Sequence, residues 1–403
     1  MAILKPFKAW RPNAEFAHEV ACVPYDVVNS QEAKDLAKGK PNSFLHVIRP
    51  EIDLPDNTSV YDPKVYEQGR KNLLKLLNSE TFIQEDEESL YIYSLTMDGH
   101  TQTGIFGCVS VEDYNNDIIL KHELTRPDKE DDRTKHIISQ RAHAEPVMLT
   151  FRDSGNITNF MNKYTEQNHP IYDIQTEDDI THTIWKIDRN DDLVLAFRSI
   201  PSLYIADGHH RCASAARAAK EYAAQNPEHN GTEGYNYFPA VLFPMDQMEI
   251  LAYNRIILSV PDNFLQQLEQ EFNLQKNAKP VPYKKGGLSI YINDNWFGLS
   301  LKEPAKNDPA SKLDIALLQD QILEPMLGIK DQRTDPNIDF VGGIRGTDEL
   351  EKLVDNGEAA VGISMYPTSI KELLEVSDAG LLMPPKSTWF EPKLRSGLLV
   401  HTF

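Results

Sequence analysis

The sequence predicts an α+β protein, a mixed sheet with helices packed on it. Two observations point there. Apolar runs of strand length, LYIYSLTM (90–97), GIFGCVSV (104–111) and AVLF (240–243), alternate with stretches of helical period such as 62–78. A short apolar strand over 203–206 also runs through Asp207-Gly208 directly into a helical stretch. The 403 residues, 40% of them apolar, supply a core for two or three modest domains.

In chain order, DPKVYEQGRKNLLKLLN (62–78) puts Val65, Leu73, Leu74, Leu76 and Leu77 on an amphipathic helix. The strands 90–97 and 104–111 are joined by a turn at Asp98-Gly99, and Asn115-Asn116 marks a further turn. EPVMLT (145–150) begins a strand. After Gly208 a helix carries Cys212, Ala215, Ala216, Ala219 and Ala223, small residues that let its axis lie close to a sheet. AVLF and MEILAYNRIIL (248–258) each read as one strand. Beyond Pro261, SIYI and WFGLSL flank Asn293-Asp294-Asn295 as a β-hairpin, and ALLQDQILEPML is a helix ended or kinked near Pro325. AAVGISMY (359–366) is a strand, followed by a helix from about Ser369 to Val376. These elements divide the chain into residues 1–112, 113–260 and 261–403.

The net charge of −20 opposes a nucleic-acid partner, because phosphate neutralisation supplies most of that affinity. Cys22, Cys108 and Cys212 are too far apart for a disulfide framework or a zinc site and read as reduced thiols. MAILKPFKAWRPN has no apolar signal region and no run approaches 18 apolar residues, so a cytoplasmic protein without a membrane span is expected.

The chemistry concentrates in Asp207-Gly208-His209-His210-Arg211. A strand, a glycine turn and a helix start leave backbone N–H donors unpaired, and with the helix dipole these form an anion site. Gly208 admits close backbone approach, the two histidines add donors, and arginine can grip phosphate in a fork. Asp207 can hold a metal ion or fix a histidine tautomer; alternatively it is an N-cap beside solvated first-turn residues.

His122-Glu123 is the start of a zinc-protease pattern, but position 126 is Arg where a second His is required. Glu123 remains a candidate general base, or else a surface acid among basic neighbours. Lys386-Ser387-Thr388 offers a charge and two hydroxyls to a carboxylate or phosphate, or forms an ordinary polar turn. Arg255, Lys393 and Arg395 are further cationic candidates, and Asp26 in VPYDVV reads as a turn residue before a site acid. No P-loop, dinucleotide fingerprint or nucleophile elbow is present.

The strand–DGHHR–helix element resembles the signature of the ParB/sulfiredoxin superfamily, and within it the free serine kinases, described from archaea as ADP-dependent. Those kinases carry an HE element upstream of DGHHR and end in a Pro-Lys-Thr-Thr element; here His122-Glu123 and Pro385-Lys386-Ser387-Thr388 match in the same order. The resemblance runs from about residue 115 to 403. The whole chain also resembles a large bacterial family of unassigned function, through VPYDVV, FLHVIRPE, DGHHR and MPPKSTWFEPK.

The kinase resemblance implies phosphoryl transfer between an adenine nucleotide, ADP or ATP, and free L-serine or O-phosphoserine. It implies Glu123 as base and Gly208, His209, His210 and Arg211 on the nucleotide phosphates. Asp207 would lie near Mg²⁺, with Asp207 and His209 joining Glu123 as catalytic residues. Lys386, Ser387 and Thr388 would hold the substrate. An aromatic substrate contact of the kinases falls here near Tyr253 or Asn254, with Arg255 next. Two alternatives stand beside this one: a phosphatase or nucleotide hydrolase on the same site, and a non-catalytic ParB-like binding protein.

Overall fold

The computed structural model describes residues 1–188 and 191–403. They form two compact units. The first comprises Met1–Lys121, Thr125–Met248 and Pro392–Phe403, and the second His122–Leu124 and Glu249–Glu391. The fold is mixed α+β, as the alternation of periods predicts.

The first unit is built on a sheet whose strands are, in chain order, β1 (Leu4–Lys5), β2 (Leu90–Met97), β3 (His100–Ser110), β4 (Ile119–Leu120), β5 (Val147–Phe151), β6 (Tyr172–Gln175), β7 (Thr181–Ile187), β8 (Leu203–Asp207) and β9 (Tyr237–Pro244). Their order in space is β4-β8-β5-β9-β3-β2-β7-β6, with β1 pairing β3. β8 is parallel to β4 and antiparallel to β5, so mixed pairing surrounds the strand that ends at Asp207. The turn between β2 and β3 is at Asp98-Gly99, both with positive φ, which suits the twist of a two-residue hairpin.

The long helices of this unit include α1 (Pro63–Leu77), α2 (Pro127–Gln140) and α3 (His209–Gln225). Cys212, Ala215 and Ala219 of α3 lie in one buried core with Leu203, Ile205 and Leu242. The small-residue face expected from sequence is therefore the sheet-facing one. All three cysteines are buried and unpaired thiols.

Residues 1–112 do not form a compact unit of their own. β1, β2 and β3 complete the sheet that β5, β8 and β9 begin, so the division expected near 112 falls inside a single sheet. The division expected near 260 lies earlier. MEILAYNRIIL, expected as one strand, breaks at Ala252: Glu249–Leu251 pairs with Trp389–Glu391, while Tyr253–Ile257 joins another sheet.

That sheet anchors the second unit. Its strands are β10 (Tyr253–Ile257), β11 (Gln275–Lys276), β12 (Gly287–Ile292), β13 (Asn295–Ser300), β14 (Ile338–Gly342) and β15 (Val361–Met365), in the order β11-β13-β12-β15-β10-β14. The expected hairpin is β12–β13, turned by Asn293 and Asp294 at φ 52° and 59°. The helix expected over ALLQDQILEPML runs as Asp314–Leu318, a π-helical turn over Gln319–Leu323, and Glu324–Leu327. Pro325 cannot donate an N–H, and the widened turn just before it accommodates that loss without ending the helix. Ser369 caps Ile370–Asp378 with a capping box closed by Glu372. No helix among the described residues is long and apolar enough to cross a membrane.

Candidate functional site

In the first unit β8 delivers Asp207 to a glycine turn. The β8–β5 register shifts between Ile205 and Asp207, an irregularity that re-aims the strand end. Gly208 follows at φ 105°, and it is the N-cap of α3, a residue with no side chain of its own to accept from the first helical N–H groups. A Cβ at Gly208 would lie 3.0 Å from Arg211 Nε and from Val147 Cγ1, so glycine is required both for φ and for space. The N-cap alternative for Asp207 does not hold, since Gly208 occupies that position.

Asp207 instead pairs with Arg211. Arg211 Nη2 donates to Asp207 Oδ2 at 2.6 Å, and Nη1 donates to the Pro146 carbonyl. Arg211 is buried, 7% exposed, and its Nε has no hydrogen-bond partner among the described residues. The sequence offers Arg211 either as a fork for phosphate or as a solvated first-turn residue; in the fold its two terminal nitrogens are used inside the protein. Lys393, from the C-terminal segment of the unit, lies with Nζ 3.9 Å from Asp207 Oδ1. Burial alone would raise the Asp207 pKa, but the Lys393 ammonium and the Arg211 guanidinium outweigh it and hold the carboxyl well below the usual range.

The magnesium ion implied at Asp207 does not fit there. Both carboxylate oxygens already face cations, and a divalent ion would meet two positive charges at close range. His209 is buried at the helix start, and His210 Nε2 accepts the backbone N–H of Arg126 at 3.0 Å, tying the entrance of α2 to that of α3. Burial pushes the Cys212 thiol up to about 12, so it is inert packing rather than a nucleophile.

Beneath Arg211 sits a layer that sequence reasoning missed. Glu145 is buried between Arg211 and Arg133; its Oε1 accepts the Tyr25 N–H at 3.0 Å, and Arg133 Nη1 lies 3.6 Å from Oε2. The Arg133 guanidinium stacks 4.0 Å over the Tyr25 ring, and Arg49 donates to the Tyr25 carbonyl. Arg133, His136, His143, Glu145 and Arg211 line a small cavity of about 30 Å³, room for a water. Tyr25 and exposed Asp26 belong to VPYDVV, so residues 1–112 help to build the support of the DGHHR turn. The only signal in the sequence is that motif itself, which reads as a turn. Arg395 lies apart from Asp207: it is buried and ion-paired with Asp178.

In the second unit the His122 carbonyl accepts the Met383 N–H at 2.7 Å, which places Glu123 beside Met383, Pro384 and Pro385 in one cleft. Lys386 follows with φ 56°, and its ammonium lies 5.4 Å from the centre of the Tyr253 ring. Ser387 is buried, donating to the Pro384 carbonyl at 2.6 Å, so its hydroxyl closes the turn rather than facing a ligand. Thr388 is half-buried. Tyr253 packs edge-on against Trp389 and Phe340.

Arg255 is fully buried. It donates to the carbonyls of Tyr253, Pro385 and Lys386, the last at 3.0 Å, and so holds the Lys386 turn from beneath. The expectation that it contacts substrate is corrected here, because its donors are spent on the backbone. Arg255→Lys keeps the charge and loses the fork. We expect it to raise the KM for the acceptor about tenfold with little change in nucleotide affinity, measured by steady-state kinetics and calorimetry side by side. An unchanged KM would separate Arg255 from the work of Lys386.

The chain belongs to the family described as Protein of unknown function (DUF1015), whose profile matches residues 4–316. No curated protein matches it in sequence. Among solved structures it is similar to a free serine kinase in complex with AMP, at 11% identity and a TM-score of 0.38, over 73% of this chain and 91% of that one. It is also similar to a conserved hypothetical protein from Pyrococcus furiosus (11%, TM-score 0.36, 73% and 95%) and to C-terminally truncated SbnI from Staphylococcus aureus (15%, TM-score 0.38, 71% and 82%).

Proposed function

We propose that this family member is a phosphotransferase that moves a phosphoryl group between an adenine nucleotide and the hydroxyl of a small acceptor, with free L-serine or O-phosphoserine the first substrates to test. The observation that carries the proposal is the Asp207-Gly208 turn. It leads into a 17-residue helix whose N-cap is a glycine and brings no capping side chain of its own, over a buried Arg211 whose Nε has no hydrogen-bond partner among the described residues. Backbone N–H donors, a helix dipole and fixed cations are what a phosphate chain needs.

In this scheme Gly208, His209 and His210 receive the nucleotide phosphates through backbone and ring donors. Arg211 and Lys393 set the field, with Asp207 keeping Arg211 in place. Glu123 takes the proton of the acceptor hydroxyl as its oxygen bonds to phosphorus and the bond from phosphorus to the nucleotide oxygen breaks. AMP leaves if ADP is the donor, and ADP leaves if it is ATP. Lys386 pairs with an anionic group of the acceptor. Most of the rate enhancement in such reactions comes from position and charge, which these residue types supply.

The test is titration calorimetry with ADP and ATP on wild type and Gly208→Ala. The added Cβ meets Val147 and Arg211 and opposes φ 105°, so the turn must shift. We expect nucleotide affinity to fall at least tenfold while far-UV dichroism is retained. Equal affinity in the two proteins would place the nucleotide elsewhere. Phosphate release without phosphoserine formation would favour the hydrolase instead.

A further inference from the structure

The second unit holds a buried carboxyl that phosphoryl transfer does not use. Asp314 begins the helix that runs through the π-helical turn to Leu327, and it is 7% exposed. An aspartate buried to this degree ordinarily has a cation or several donors around it. Here Oδ2 accepts one hydrogen bond, from the Gly286 N–H at 2.7 Å. Oδ1 is buried with no hydrogen-bond partner among the described residues.

The neighbouring charges do not offset that burial. Glu372 acts on Asp314 from the helix Ile370–Asp378, and Lys285 acts on it from the loop that leads into β12. The Lys285 ammonium is half-exposed and lies 2.5 Å from Glu372 Oε1, so it is engaged by the other carboxylate. Glu372 also accepts the Ser369 N–H and hydroxyl, at 2.8 and 2.7 Å, which fixes its charge in place. Lys284 lies 5.4 Å from the centre of the Tyr283 ring, and Lys312 is exposed. Burial pushes the Asp314 pKa up to about 6; the Glu372 charge adds to the rise, while the Gly286 hydrogen bond and Lys285 oppose it.

Asp314 joins the open end of a hairpin to a helix start. Gly286 precedes β12 with φ 80°, and its carbonyl accepts the Leu301 N–H at 2.8 Å where β13 ends. On the other side, the helix that Asp314 begins carries Ala316 and Asp320 into the wall of the cleft that holds Glu123. Protonation of Oδ1 removes the charge and leaves Oδ2 to accept the Gly286 N–H.

We propose that Asp314 is a proton-operated latch: protonated, it fastens the Gly286 loop to the cleft-lining helix, and ionised, it lets that joint open more readily. Phosphoryl transfer plays no part in it, so the latch and the phosphotransferase stand or fall separately. Opening returns the carboxyl to water, where its pKa is about 3.9. The closed state therefore holds the proton more tightly. Its penalty is absent below that value, grows as pH rises toward 6, and is complete above it. From pH 5 to pH 8 the opening equilibrium should rise roughly tenfold.

Hydrogen exchange on the full chain, read by mass spectrometry and divided by the intrinsic rate at each pH, tests the latch. In the wild type, peptides covering 284–292 and 312–318 are expected to lose protection about tenfold from pH 5 to pH 8. Asp314→Asn keeps an oxygen for the Gly286 N–H and cannot titrate, so its protection should be equal at the two pH values. Peptides from β2 and β3 of the first unit are the control and should show no such change. The latch is overturned if wild-type protection at 284–292 and 312–318 is independent of pH, if β2 and β3 lose as much, or if Asp314→Asn follows the wild type. Should the variant not fold, the wild-type comparison between the two regions still decides.

Discussion

Glu123→Gln is expected to lower kcat for phosphoryl transfer by roughly 10²–10⁴-fold while the affinity for ADP and ATP changes little. A hydroxyl is a weak nucleophile near neutral pH, and the amide keeps the size and polarity of the carboxyl but cannot accept the proton. Help given in the transition state is then lost and ground-state binding kept, which lowers kcat and kcat/KM together. Formation of phosphoserine from L-serine with ADP or ATP, and the reverse from O-phosphoserine, is the assay. Near wild-type turnover in Glu123→Gln would remove the base. An absence of turnover in wild type would remove serine first and leave the phosphate site to be judged by nucleotide binding. His122 beside it is a poorer base, because it is buried.

Asp207→Asn should cost about 3–5 kcal/mol of stability at neutral pH, because it leaves the Arg211 guanidinium buried without its carboxylate. The pH dependence has a definite sign. Asp207 is held below its ordinary value, so its contribution is fully present above the unfolded carboxyl pKa of about 3.9 and is lost as pH falls below that. The gap between wild type and Asp207→Asn, measured as urea midpoints, should therefore be widest near pH 7 and close below about pH 4. A variant as stable as wild type at pH 7 would show that the pair contributes nothing net. A gap that widened in acid would contradict the depressed carboxyl.

Local chemistry explains which elements are legible in the chain before it folds. The turn at Asp98-Gly99, the hairpin at Asn293-Asp294 and the helix after Gly208 all depend on residues within a few positions of one another. Left-handed φ selects glycine, asparagine or aspartate in each of the two hairpin turns, and the run of alanines shows which face of α3 meets a sheet. The DGHHR turn is legible for the same reason.

Partnership over long separations is not. Arg211 reads as an exposed cation in sequence because Asp207, four residues away, is only one of its neighbours; Pro146, Glu145 and the loop of Tyr25 arrive from elsewhere. Arg255 reads as a substrate contact because nothing local reveals that the carbonyls of residues 385 and 386 will cover it.

Periodicity, turn chemistry and side-chain type are enough to specify the α+β class and the strand–turn–helix at Asp207–Arg211, whereas Glu123 and Lys386 stand out only through the resemblance of their motifs to those of the free serine kinases. The folded chain was needed to show that the first 112 residues share a sheet with the rest and that Asp207 faces Arg211 and Lys393 rather than a metal. It was needed equally to put Glu123 in a cleft with Met383, Pro384 and Pro385. Burial and pairing are set by which distant segments meet, and they determine whether a charged side chain is spent on the fold or left for a ligand.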